Sequence, residues 1–179
     1  MDERRVVKVS KYLSRALRHR PERIGLELDV GGWADVGELL AACARHGFAL
    51  TRAELDHVVS VNDKQRYAFD ASGSRIRANQ GHTVPVELDL PVASPPEILF
   101  HGTVERSVPA IRTEGLRPMD RHDVHLSPEP ETARRVGARR GRPSVLTVDA
   151  AAMVADGFEF RMSANGVWLV SDVPPRYLR

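Results

Sequence analysis

Apolar residues recur at every third or fourth position over residues 4–20, which is the period of one face of an α-helix. Pro21 disfavours helical geometry at the residue before it, so this helix is predicted to end there. Asp35 is a typical N-cap residue, and it predicts a second helix through about Arg45. Gly47 follows as the residue that closes this helix.

A third helix and two strands are predicted before the middle of the chain. Thr51 and Glu54 have the spacing of a capping box, which predicts a helix to about Val61. Residues 66–69 and 75–78 alternate between apolar and polar side chains, with a Ser-Gly turn between them, as in two short paired strands. Three helices followed by a hairpin is the order of a winged helix.

Four prolines and no helical period mark residues 83–96 as an extended linker. The chain after this linker predicts mainly strands, together with two or three helices. We expect strands over 97–101, 124–126, 144–148, 157–161 and 166–170, one helix over 106–114, and another that begins with Ser127 as N-cap and Pro128 at N1 and runs to about Arg140. The fold class is therefore α+β.

Composition supports a folded protein with a few placed arginines. Of its 179 residues, 42% are hydrophobic and 28% charged, so the chain can bury a core. Its 26 basic residues include 23 arginines and 3 lysines, and 24 acidic residues offset them. Because both halves are close to neutral, the charge does not favour a broad surface for duplex nucleic acid. Guanidinium groups bind phosphate as planar forks, so individual arginines could hold individual phosphates.

Several classes of protein are excluded. No apolar run approaches the ~20 residues that cross a bilayer, and no secretory signal opens the chain. A single cysteine, Cys43, excludes a disulfide framework and predicts a reducing cytoplasm. P-loop, Rossmann and nucleophile-elbow motifs are absent. His122 and His125 would point to opposite faces of a strand, so we expect no metal site.

Arginine and histidine collect where predicted elements begin or end. Arg18 and His19 lie in the last turn of the first helix, where cations also stabilise the helix dipole without any other role. Arg66 opens a strand on the face opposite its buried residues. Arg121 and His125 are four residues apart in an extended stretch and share a face. A glycine beside His101, in the sequence His-Gly-Thr, would let a ligand approach the backbone.

Taken together, these segments resemble the NAD-dependent RNA 2′-phosphotransferase family. The similarity runs from about residue 8 to the C-terminus, in order and at compatible spacing. It is carried by Leu17-Arg18-His19, Gly32-Trp33, Asn62-Asp63-Lys64, Arg66-Tyr67, Gln80-Gly81-His82, Leu99-Phe100-His101-Gly102-Thr103, Val124-His125-Leu126-Ser127, Gly166-Val167-Trp168-Leu169 and Tyr177-Leu178.

The resemblance implies an architecture of two lobes. Residues 1–83 would form a winged-helix-like lobe that binds RNA and phosphate, residues 84–96 a Pro-rich linker, and residues 97–179 a β-rich, ADP-ribosyltransferase-like lobe that binds NAD. The active site would lie in the cleft between the lobes.

The resemblance also implies roles for individual residues. The catalytic set would be Arg18, His19, Arg66 and Arg121. The residues that bind NAD would be His101, Gly102, Thr103, His125, Ser127, Asn165 and Gly166, and those that hold the RNA would be Gln80, Gly81, His82 and Thr83. Members of the family more often have Ser at the position of Thr83.

The implied reaction transfers an internal 2′-phosphate from RNA to NAD, which is consumed, without a metal. It would place the protein in cytoplasmic RNA processing, such as tRNA splicing, as a monomer. Two alternatives stay open. One is an NAD-dependent ADP-ribosyltransferase that modifies a terminal phosphate of nucleic acid, or a protein. The other is a non-enzymatic winged-helix protein that binds nucleic acid.

Overall fold

A computed structural model describes residues 1–62 and 64–179; Asp63, which belongs to one of the motifs above, lies outside the described residues. The chain divides into two compact units, Met1–Asp89 and Leu90–Arg179. Each unit has its own hydrophobic core. The division falls inside the segment predicted as a linker, while the limits of the two predicted lobes stay predictions.

The first unit contains three α-helices. They are α1 (Glu3–Arg18), α2 (Val36–Arg45) and α3 (Arg52–Ser60), and a short 3-10 helix, Pro21–Ile24, follows the first. The predicted capping box of α3 is confirmed, because Thr51 and Glu54 each bond the other's backbone amide. The first helix ends two residues earlier than predicted, and His19 is its C-cap.

A three-stranded antiparallel sheet completes the first unit. Its strands are β1 (Ala34–Asp35), β2 (Tyr67–Phe69) and β3 (Arg75–Ala78), in the order β1-β3-β2. The hairpin of β2 and β3 was predicted, whereas β1 has only two residues and carries no periodic signal. Tyr67 is buried, and its hydroxyl group donates to the carbonyl of Ser10 in α1, which ties the hairpin to that helix.

The second unit combines two small sheets with three α-helices and two short 3-10 helices, Glu105–Ser107 and Pro175–Tyr177. Its elements are β4 (Ile98–Val104), α4 (Val108–Glu114), β5 (Val124–Leu126), α5 (Pro130–Gly137), β6 (Pro143–Asp149), α6 (Ala150–Ala155), β7 (Arg161–Met162) and β8 (Trp168–Val170). The strands β4 and β6 pair antiparallel, and β5, β8 and β7 form the other sheet. Two backbone hydrogen bonds between Phe100 and Ser127 join β4 to the end of β5.

The predicted start of α5 is wrong by two residues. Its N-cap is Glu129 and its first residue is Pro130, not Ser127 and Pro128. Glu129 precedes Pro130, which disfavours helical geometry at Glu129, and its backbone is extended, with φ −114° and ψ 125°. Ser127 lies further back, in an extended bridge with Phe100. Its hydroxyl group accepts from the amide of Glu129 in a local turn, which has the same sequence signature as a helix cap.

Two predicted strands are shorter than expected. Only Arg161 of residues 157–161 is in β7, and Gly157, with a φ of +91°, belongs to the turn after α6. The strand predicted over 166–170 begins at Trp168, because Gly166, with a φ of +75°, lies in the turn between β7 and β8. A positive φ interrupts the extended backbone that a strand requires.

Helices and strands are mixed in the chain, as the predicted α+β class requires. The winged-helix and ADP-ribosyltransferase-like descriptions of the two lobes stay predictions. Among the described residues, no helix combines the length and the apolar composition needed to span a bilayer.

Candidate functional site

The end of α1 brings two of the predicted catalytic residues to one place. Arg18 is only 8% exposed, and its guanidinium lies 5.9 Å from the centre of the Tyr67 ring. Its Nη2 donates to the carbonyl oxygen of Arg66 at 3.4 Å. His19 follows as the half-buried C-cap of the helix. The helix terminus therefore places a cation and an imidazole side by side.

The backbone and side chain of Arg66 are both held by neighbouring polar groups. Its Nη1 donates to Oδ1 of Asn62 at 3.2 Å. Its carbonyl oxygen accepts from the backbone amide of Asn79 at 2.9 Å, in addition to the bond from Arg18. The side-chain amide of Asn79 also donates to the carbonyl of Gln65, which has the unusual φ of +40°. Asn79 therefore fixes the loop that presents Arg66.

Of the residues predicted to hold RNA, Thr83 contacts the C-terminal end of α1. The amide of Thr83 donates to the carbonyl of Arg18 at 2.8 Å, and its hydroxyl oxygen lies 3.2 Å from Nδ1 of His19. His82 is 3% exposed, and a Cβ on Gly32 would lie 3.3 Å from its Nε2. Gln80 is half-buried and Gly81 is buried, with a φ of +85°. The contact of this segment with RNA stays a prediction.

A second group of cationic and imidazole side chains forms within the other unit. Nη1 of Arg121 lies 2.8 Å from Nδ1 of His125. A guanidinium group can only donate, so Nδ1 of His125 must accept, and the proton of this neutral imidazole is on Nε2. The predicted proximity of the two residues is confirmed, although Arg121 precedes β5 instead of lying on a strand.

His101 has the opposite arrangement of its ring proton. Its Nδ1 lies 3.1 Å from the carbonyl oxygen of His125, which can only accept, so Nδ1 carries the proton and Nε2 is an acceptor. Burial lowers the pKa of His101, and the nearby charge of Arg121 lowers it further, although the carbonyl acts in the other direction. His101 and His125 therefore present one acceptor and one donor.

Other arginine side chains lie close enough to Arg121 for their charges to affect it. Its side chain is exposed, but surrounding atoms partly desolvate the guanidinium, which lowers the pKa of Arg121. The charges of Arg140 and Arg139 lower it further. Mutual repulsion of these cations favours the binding of an anion beside them.

The packing of α5 against β4 requires a glycine at position 102, which the sequence did not reveal. A Cβ on Gly102 would overlap the carbonyl oxygen of Ala133, because the backbone of α5 packs directly on β4. Gly137 meets the carbonyl oxygen of Thr103 in the same way. We expected the missing side chain to admit a ligand, but the helix occupies that space. A role for Gly102 and Thr103 in binding NAD stays a prediction.

The other residues predicted to bind NAD lie in turns. The bridge to Phe100 places Ser127 beside the strand that carries His101. Asn165 and Gly166 belong to the turn between β7 and β8, where the hydroxyl group of Ser163 donates to Oδ1 of Asn165 at 2.7 Å. A role for Ser127, Asn165 and Gly166 in binding NAD stays a prediction.

Two asparagines were missed by the sequence analysis. Asn62 and Asn79 contact Arg66 and its loop, but neither was given a role. A short amide side chain close in sequence to a predicted site arginine is a weak signal that could have indicated Asn62. Asn79 is separated from Arg66 by a hairpin, so only the folded chain reveals its contact.

Comparison with known proteins decides the family. The family model described as "RNA 2'-phosphotransferase, Tpt1 / KptA family" matches residues 4–172. The chain belongs to the RNA 2′-phosphotransferase family. The match includes every residue of the two groups described above.

Members of this family from several bacteria are similar to the chain over almost its whole length. A probable RNA 2′-phosphotransferase of Streptomyces griseus is 68% identical, with 99% of this chain and 98% of the relative covered. One from Streptomyces coelicolor is 65% identical over 100% of this chain and 97% of the relative. One from Trichormus variabilis is 57% identical over 99% of this chain and 98% of the relative.

Proposed function

We propose that this protein removes an internal 2′-phosphate from RNA by transferring it to NAD. In the first step, an oxygen of the 2′-phosphate attacks C1″ of the nicotinamide ribose, and nicotinamide leaves. In the second step, O2″ of that ribose attacks the phosphorus, and the RNA leaves with a 2′-hydroxyl group. The remaining product is ADP-ribose 1″,2″-cyclic phosphate. Both nucleophiles come from the substrates, so the protein needs no nucleophile of its own.

The arrangement of Arg18, His19 and Arg66 carries this proposal. Arg18 donates to the carbonyl of Arg66, and His19 adjoins Arg18 at the end of α1. A phosphate dianion suits such a group, because guanidinium forks match its oxygens and remain charged at any working pH. The same groups would stabilise the charge that develops on the phosphorus during the second attack.

The second unit offers groups suited to NAD. Nε2 of His101 is an acceptor and Nε2–H of His125 is a donor, as ribose hydroxyl groups require. Arg121 supplies a positive charge, with Arg139 and Arg140 near enough to affect its pKa. A pyrophosphate group or the transferred phosphate would be stabilised there. We propose that these residues bind NAD and that Arg121 also acts on the phosphate.

The test is incubation of the protein with an oligonucleotide that carries one internal 2′-phosphate, with and without NAD. We expect loss of the 2′-phosphate and formation of the cyclic phosphate only when NAD is present, with the same rate in EDTA. An oligonucleotide with a 2′-hydroxyl group at that position is the control.

Other outcomes would contradict the proposal. Loss of turnover in EDTA, restored by a divalent cation, would overturn the metal-free mechanism. Modification of a terminal phosphate by NAD with no action on the internal 2′-phosphate would favour the ADP-ribosyltransferase alternative. Binding to RNA without any product would favour a non-enzymatic protein.

A further inference from the structure

The segment that contains Thr83 is attached to the C-terminal end of α1. The carbonyl oxygen of Arg18 accepts from the backbone amides of Thr83, at 2.8 Å, and Val84, at 3.4 Å. The last carbonyl groups of an α-helix have no partner within the helix. Here a segment distant in the sequence, Thr83 and Val84, supplies the donors for one of them. These backbone bonds place the side chain of Thr83 beside the imidazole of His19.

The hydroxyl group of Thr83 links His19 to the end of the helix. It donates to the carbonyl oxygen of Arg18 at 3.4 Å, and its oxygen lies 3.2 Å from Nδ1 of His19. A hydroxyl group has one proton, so a proton directed at the carbonyl leaves only lone pairs to face Nδ1. In this arrangement, Nδ1 of His19 carries a proton and donates it to the hydroxyl oxygen of Thr83.

We infer that Thr83 is a positioning residue that fixes the tautomer and ring orientation of His19. With the proton held on Nδ1, Nε2 is the nitrogen atom that can accept a proton when the ring is neutral and donate when it is charged. Which nitrogen is protonated is set by the hydrogen bond that the other ring position makes. The role of His19 in the reaction rests on the proposed function, whereas its contact with Thr83 does not.

Thr83 is exposed, so an experiment must separate this role from a direct contact with RNA. The hydroxyl group of Thr83 is directed at Arg18 and His19 within the protein. A serine has the same hydroxyl group, whereas a valine has nearly the same shape without it. Thr83→Ser and Thr83→Val therefore test the hydroxyl group while the backbone bonds to Arg18 are retained.

The first arm of the experiment is ¹⁵N NMR of the histidine rings in the whole protein, above the pH at which His19 becomes neutral. The resonance lost in His19→Ala identifies this ring. We expect the proton of His19 on Nδ1 in the wild type and in Thr83→Ser, and on Nε2 in Thr83→Val. Thr113→Val, which removes a hydroxyl group from α4 in the other unit, is the matched control and should resemble the wild type. A wild-type His19 with its proton on Nε2 would overturn the inference.

The second arm is steady-state kinetics with the 2′-phosphorylated oligonucleotide and NAD. One orienting hydrogen bond at an accessible site corresponds to about a three- to tenfold change in rate. Thr83→Val should lower kcat by that factor with little change in KM for RNA, and Thr83→Ser should stay within about twofold of the wild type. Thr83→Val should have no further effect in His19→Ala.

The outcomes of the two arms are distinguishable. A raised KM for RNA in Thr83→Val, with unchanged kcat and an unchanged tautomer, would make Thr83 an RNA contact and overturn the inference. An inactive wild type whose His19 still has the proton on Nδ1 would contradict the proposed function alone.

Discussion

Arg66 forms hydrogen bonds within the first unit through both its backbone and its side chain. Its carbonyl accepts from Arg18 and Asn79, and its guanidinium donates to Asn62. Lysine could replace the charge but not the planar fork of the guanidinium group, which donates to Asn62 and has further N–H groups for the proposed contact with phosphate. At the scale of single residues, the chemistry therefore depends on the shape of the donor as well as its charge.

Replacement of Arg66 tests this point. Arg66→Ala should reduce turnover by about 10²–10³, because it removes a donor to the developing charge. Arg66→Lys should also be defective, since an ammonium group cannot make the paired contact. Rates with the 2′-phosphorylated oligonucleotide and melting temperatures should be measured together. A wild-type rate in Arg66→Ala would remove the residue from the site, and a large fall in melting temperature would indicate a structural role.

His101 should make stability depend on pH. Its ordinary pKa of 6.5 is lowered in the folded protein, chiefly by burial. As the pH falls below about 6.5, the unfolded chain binds a proton at this residue before the folded protein does, so the free energy of unfolding decreases. The stabilisation is present above this range and is lost as the pH falls toward the lowered pKa of the folded state.

His101→Asn is the variant that isolates this effect. Its amide group can donate to the carbonyl of His125 in place of Nδ1, but it does not titrate. Urea unfolding at pH 7, 6 and 5.5 should show a smaller loss of stability in the variant than in the wild type. Equal losses in the two proteins would show that His101 is not responsible.

At the scale of elements, the position of α5 depends on two glycines. Gly102 and Gly137 let the helix backbone contact that of β4, which carries His101. The helix also leads directly to Arg139 and Arg140. The packing of α5 therefore fixes β4, which carries His101, and the turn with Arg139 and Arg140, whose charges affect Arg121.

Gly102→Ala should destabilise the protein by about 3 kcal/mol, because the new Cβ overlaps the carbonyl of Ala133 and the helix must move. Gly157→Ala is the matched control, since it has a φ of +91° but no atom within 4 Å of the new Cβ. It should cost only the strain of a left-handed backbone, about 1 kcal/mol. Urea unfolding gives both values, and an equal cost in the two variants would contradict the close packing of α5.

At the scale of the whole molecule, the two hydrophobic cores share no residue. Buried residues of the first core range from Val9 to Ala78, and those of the second from Leu99 to Leu178. Each unit also has its own sheet or sheets. The catalytic set proposed for the reaction draws Arg18, His19 and Arg66 from the first unit and Arg121 from the second.

Residues 1–89 should therefore fold alone. We expect this fragment to unfold in urea in a single cooperative transition, because its core is complete within it. Leu55→Ala, which removes a fully buried side chain, should destabilise the fragment by about 2–4 kcal/mol. A fragment without a cooperative transition, or one indifferent to Leu55→Ala, would show that its stability depends on the rest of the chain.

Local sequence signals determined much of the molecule's secondary structure. The period of α1, the caps Asp35 and Thr51, and the alternation of β3 act between neighbours in the chain, so the sequence alone was sufficient to predict them. Ser127 shows that such signals can compete. Its hydroxyl group forms a local turn in place of a cap, because Glu129 precedes Pro130 and stays extended, so the helix begins at Pro130.

The family was also determined by the sequence, because ordered motifs along one chain are sufficient to identify relatives. The roles of the predicted site residues stay predictions. The contacts of these residues were not determined by the sequence. The bond from Arg18 to Arg66 and the support of Arg66 by Asn79 join residues distant in the sequence. The ring proton of His101 is positioned by the carbonyl of His125, and that of His125 by the guanidinium of Arg121. Such contacts depend on the path of the backbone in three dimensions, so only the tertiary structure decided them.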